Sequence, residues 1–109
     1  AAGHRERLLA GGRTILSNSL IQIGDAESLV KARGLLTDVE LWHKARGSVT
    51  LGTVELYLNF GYLGNREAKS EKVSARRLEI YRRTIASYER GLELAKTLKA
   101  SEEMQSRLL

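Results

Sequence analysis

Side chains able to do acid–base, nucleophilic or metal chemistry are scarce in this 109-residue chain. It has two histidines, His4 and His43, and no cysteine. Neither a histidine-based triad nor a thiolate or multi-histidine metal site can be assembled within one chain. Glu102 and Glu103 are adjacent and point different ways on a helix, while Asp38 and Glu40 fit helix capping better than proton transfer. No GxxxxGK[ST] occurs, and the glycine-containing stretches lack the spacing of a dinucleotide loop. The expectation is a protein that is not an enzyme and takes no cofactor and no metal.

Charge carries more information. The chain has 18 Lys+Arg against 13 Asp+Glu, a formal net charge of +5. Between Arg66 and Arg83 there are seven basic residues (Arg66, Lys69, Lys72, Arg76, Arg77, Arg82, Arg83) and three acidic ones, Glu67, Glu71 and Glu79. Lys69, Lys72, Arg76 and Arg83 follow helical steps, which predicts one basic ridge able to track phosphates, with Arg adding bidentate contacts. The solvated face of a long helix would use the same residue types. If Arg46, Arg66, Lys69, Lys72, Arg76 and Arg77 meet a polyanion and about four engage, log K falls with log salt at a slope of roughly −4.

The elements that must position these side chains read as helices. The chain has no proline, a residue expelled chiefly from helix interiors. Hydrophobic residues make up 42% and charged residues 28%, enough to bury a core and too apolar for disorder throughout. Ala1–His4 are set aside as a tag remnant or the start of a processed fragment. Leu8, Leu9, Ile15, Leu16, Leu20 and Ile23 predict a first helix ending at Gly24, bent or delayed at Gly11–Gly12. Asp25 caps a short second helix carrying Leu29, Val30 and Leu36. Thr37-Asp38-Val39-Glu40 fits a capping box opening a third, which Gly47 stops.

Residues 48–63 alternate like a strand at Val54, Leu56 and Leu58, yet Leu51, Val54, Leu58 and Tyr62 also form a helical stripe. Helix is the reading taken, with Thr50 as cap, because a lone strand would leave its backbone groups unpaired. Tyr57, Phe60 and Tyr62 are read as core or dimer seam. From Arg66 to Ala100 only Gly91 interrupts straight-chain and alanine residues, which predicts one helix of about 35 residues and roughly 50 Å. Leu78, Tyr81, Ile85, Tyr88, Leu92 and Ala95 sit at a and d spacing along it and form the expected dimer or partner seam. Ser101-Glu102-Glu103 could restart a short terminal helix.

Leu36–Gly47 followed by Ser48–Leu58 resembles a helix-turn-helix: a capped helix, a glycine turn, and a second helix opening with small hydroxyl residues. Bulky His43 or Trp42 stands where that family usually has a small residue. The resemblance implies a first helix packed across a recognition helix that reads the major groove through its N-terminal side chains. By position these are Ser48, Thr50, Leu51 and Thr53, with Lys44 and Arg46 near the DNA backbone.

The expected protein is all-α, with four or five helices, a compact helical head over residues 5–63 and a long basic C-terminal helix over 66–109, as a homodimer. Its expected function is non-enzymatic DNA binding, as a small regulator or a plasmid- or phage-type accessory factor. The alternative is a helical interaction or assembly module docking through the apolar face of the C-terminal helix. No segment is apolar enough to span a bilayer, a membrane partner is not expected, and the expected location is cytoplasmic.

Overall fold

The computed structural model describes residues 2–108, and the described chain is all-helical: α1 (Ala2–Ile23), α2 (Ala26–Arg46), α3 (Leu51–Ser70) and α4 (Ser74–Leu108). Local signals set most of the boundaries. Gly24 takes a left-handed conformation (φ 77°) and donates its N–H to the Leu20 carbonyl at 3.1 Å, closing α1. Asp25 then accepts from the Ser28 N–H at 2.7 Å and opens α2. Gly47, also left-handed (φ 73°), ends α2 by donating to the His43 carbonyl.

Successive helices run antiparallel. Arg33 reaches Glu67 and Tyr57 reaches Glu40 between α2 and α3, and Asn65 reaches Tyr88 between α3 and α4. The core lies among the first three helices: Ala10 and Ile21 from α1, Leu29, Ala32, Leu36 and Val39 from α2, Leu56 and Leu63 from α3. Trp42, Tyr57 and Phe60 pack around it. α4 packs on α3 and not on α1 or α2. The molecule is therefore three helices around a core with a fourth laid along the outside of α3, measuring 54 × 29 × 21 Å.

Small residues let α3 and α4 approach closely. Gly61 lies under the Tyr88 ring and Gly64 under Thr84, with no room for a Cβ at either position. On the α4 side, a Cβ at Gly91 would stand 3.3 Å from Leu58.

The structure departs from several sequence expectations. α1 runs straight through Gly11–Gly12. The expected second and third helices are one, because Thr37 turns its hydroxyl back to the Arg33 carbonyl at 2.8 Å instead of capping a new start. Residues 51–60 are helix. The single helix expected over 66–100 is broken at 71–73, so the boundary drawn between 63 and 66 falls inside α3. Glu71 is extended there, its carboxylate accepts from the Val73 N–H at 3.1 Å, and its carbonyl accepts from Arg77 Nε at 2.9 Å. No restart occurs at Ser101, since α4 is continuous. Of the residues set aside at the start, Ala2, Gly3 and His4 belong to α1, and Ala1 lies outside the described residues.

The seam makes a contrast between two glycines testable. Gly64→Ala must displace Thr84 and should destabilise the fold by about 1–3 kcal/mol, as overpacking does. Gly34 is helical with open space at its Cβ position, so Gly34→Ala should stabilise by about 0.5–1 kcal/mol. Urea unfolding of the two variants reads both signs.

Candidate functional site: a basic end pocket and an outward apolar stripe

The helix-turn-helix-like segment forms one wall of a cavity of about 380 Å³ at the end of the molecule where α2 stops and α3 starts. Arg7 and Thr14 of α1, Trp42, His43 and Arg46 of α2, and Thr50 line it. The Arg46 guanidinium stacks 4.9 Å above the Trp42 ring, which holds it at the rim. The turn brings Ser48, Thr50 and Leu51 to the same cavity. Arg7 and Arg46 bring two positive charges to the cavity and Glu55 one carboxylate, a net positive lining that a phosphate oxygen could approach.

Thr53 is placed differently from expectation. It is buried, its hydroxyl accepts from the Thr50 N–H at 3.1 Å, and it lies 3.3 Å from His43 Nδ1. Its side chain fixes the start of α3 and is withdrawn from any groove. Lys44 is exposed and lies 3.8 Å from Glu40. Arg7 was missed in the sequence because it sits on a different helix 39 positions before Arg46, and no local spacing links the two.

The predicted basic ridge is divided. Lys69 belongs to α3 and Arg76 to α4, with the turn between them, so they share no helix face. Arg66 donates to the Gln22 carbonyl at 2.9 Å, covering the end of α1. Arg77 donates to the Glu71 and Lys72 carbonyls, at 2.9 and 3.3 Å, and holds the turn. Lys69, Lys72, Arg76 and Arg83 are exposed. Arg33, which the sequence did not single out, pairs with Glu67 and ties α2 to α3.

The expected seam on α4 also splits. Leu78, Tyr81, Ile85 and Leu92 are exposed. Tyr88 turns to α3, where its hydroxyl accepts from Asn65 Nδ2 at 3.0 Å and its ring meets Tyr62 edge-on at 6.0 Å. Ala95 is half-buried. The side of α4 that packs on α3 is instead Ile80, Thr84, Gly91, Leu94 and Leu98. The two sides lie about 110° apart on a helix of 100° per residue, which is why a heptad drawn through the larger residues selected the outer one.

Among the described residues, no group of three His, Cys, Asp or Glu side chains could hold a metal ion, and no helix is long and apolar enough to cross a membrane. No protein-family model matches the chain, and neither does any curated protein or solved structure.

His43 gives the end pocket a pH signature. Burial, and then the charge of Arg46, hold its pKa below the usual histidine value. The unfolded chain therefore takes up the proton first. The contribution of neutral His43 to stability is complete above about pH 6.5 and is lost as pH falls through the lower folded value. Thermal melts compared at about pH 7.5 and about pH 5.5 should show a smaller acid-induced drop for His43→Gln than for the parent chain. An equal drop in both would assign the effect to other groups.

Proposed function

We propose that this chain is a non-enzymatic helical assembly module that docks an amphipathic helix of another protein along the outer face of α4. The observation that carries the reading is the stripe Leu78, Tyr81, Ile85 and Leu92. These four side chains run for about 21 Å of helix, stand in solvent, and lie away from α3. Large apolar side chains gathered along one exposed helix face mark an interaction surface more often than scattered ones do. Arg82 beside the stripe and Lys96 and Lys99 past Leu92 outnumber Glu89, the carboxylate between Ile85 and Leu92, all four being exposed, which favours acidic residues beside the apolar anchors of the partner helix.

A second reading, DNA binding, draws on the end pocket. Arg7, Arg46, Ser48 and Thr50 border one cavity at the start of α3, in the segment that resembles a helix-turn-helix. Its phosphate contacts would be fewer than a continuous ridge supplies, since Arg66 and Arg77 are engaged on backbone carbonyls.

Two probes separate the readings. A synthetic amphipathic helix with leucines at three- and four-residue steps and glutamates on its flanks should bind the parent chain. Ile85→Asp with Leu92→Asp should weaken it by about tenfold or more. Binding unaffected by the two substitutions overturns the docking reading. A random-sequence duplex tested at two salt concentrations addresses the other: with Arg7 and Arg46 each on a phosphate the DNA reading needs a slope of about −2 and loss with Arg46→Glu, and affinity indifferent to salt overturns it.

A further inference from the structure

α1 wears its apolar side outward. Against α2 and α3 it buries Ala10, Ser17 and Ile21, with Thr14 and Asn18 half-buried beside them. Leu8, Leu9, Ile15, Leu16 and Ile23 are exposed, Ile15 by 72%. At 100° per residue, Leu8, Gly12, Ile15, Leu16, Ser19 and Ile23 share one side of the helix, opposite the buried set. An ordinary surface helix has the reverse arrangement.

This stripe reads the same in both directions. Counting outward from the midpoint between Ile15 and Leu16, Gly12 is matched by Ser19 and Leu8 by Ile23. A two-fold contact about that midpoint sets apolar against apolar and small against small, because residue i on one copy meets residue j on the other and j meets i. The paired small residues, about one turn either side of the midpoint, would let two helix backbones approach. A Cβ at Gly12 would meet nothing in its own chain, although glycine inside a helix costs about 1 kcal/mol relative to alanine. The monomer makes no use of the space.

We infer that α1 is a self-association surface, pairing antiparallel with α1 of a second copy of this chain about an axis at Ile15–Leu16. Charge is compatible with that register: Arg5 lies one turn before Leu8, and the two-fold brings it toward the turn after Ile23 of the other copy, where Asp25 and Glu27 are exposed, the first capping α2 and the second paired with Lys31. Five exposed apolar side chains from each copy bury of the order of 1,000 Å² in total, the lower bound for a specific interface, which predicts a concentration-dependent monomer–dimer equilibrium. Neither a bilayer nor an unrelated helix requires a palindromic stripe. The face is separate from the α4 stripe, since α1 and α4 do not touch.

Sedimentation velocity over a wide concentration range, on the whole chain, tests this. The parent should move from monomer to dimer mass as concentration rises. Ile15→Glu should weaken dimerisation by at least about tenfold with unchanged circular dichroism, because the side chain is solvent-exposed in the monomer. Ile85→Glu on α4 should leave the dimer intact. The chain lacks cysteine, so Leu8→Cys mixed with Ile23→Cys should give the 8–23 disulfide in preference to 8–8 or 23–23. A monomer at every concentration, a dimer broken by Ile85→Glu and indifferent to Ile15→Glu, or predominant 8–8 cross-links would overturn the inference. So would a monomer that binds phosphatidylcholine or phosphatidylserine vesicles through Ile15.

Discussion

α3 is the one helix that packs against all three others, and a helix enclosed on three sides has little room for a solvated stripe. Thr53, Val54, Leu56, Asn59, Gly61, Leu63, Gly64 and Ala68 are all buried and lie around most of its circumference. Its enclosed Asn59 is bonded on both sides, accepting from Asn18 at 3.0 Å and donating to the Glu55 carbonyl at 2.8 Å. Leaving either group unpaired would forfeit its solvation without replacement. On the α4 side Gly61 and Gly64 make room for the Tyr88 ring and Thr84, so that side chains of α4 pack directly on the α3 backbone.

That enclosure explains why residues 48–63 were hard to read. Val54, Leu56 and Leu58 alternate because they face different neighbours: Leu56 belongs to the core shared with α1 and α2, whereas Leu58 packs against Gly91 of α4. A helix surrounded on several sides loses the 3.6-residue signature that a one-sided helix displays. What remained legible was punctuation. Gly24, Asp25, Gly47 and Thr50 act within a few residues of where they stand, and each sits at a helix end as its chemistry requires. The break at 71–73 was illegible for the complementary reason: it contains neither glycine nor proline, and Arg77 holds it from the following helix. Thr37 misled in the opposite sense, since a hydroxyl that can cap a new helix can also bond back within an existing one.

The candidate site was legible only in pieces. Arg46, Ser48 and Thr50 border one cavity at the turn after Gly47, and Arg7 joins them because α1 and α2 pack antiparallel. Counting cations along the chain could not show which of them bind backbone carbonyls. Arg66 and Arg77 end on the carbonyls of Gln22, Glu71 and Lys72, where a guanidinium satisfies acceptors left open at a helix end and in a turn. A local excess of positive charge is thus partly structural, which removes two arginines from the set that the sequence assigns to phosphate contacts.

The residues α1 buries and those it exposes have one cause in common. Alanine, serine and threonine beside Leu20 and Ile21 on the inner side allow α1 to lie close to α2 and α3, as the glycines of α3 do for α4, and most of its larger apolar side chains are left to the outer side. Apolar surface left in water is unfavourable by about 25 cal/mol per Å², so two such faces on a chain this small create a standing tendency to associate. Because α4 touches only α3, covering the α1 stripe with a second copy would leave both α4 stripes uncovered. Self-association on one side and docking on the other would therefore not compete, and a pair of chains would present two equivalent docking faces related by the same axis.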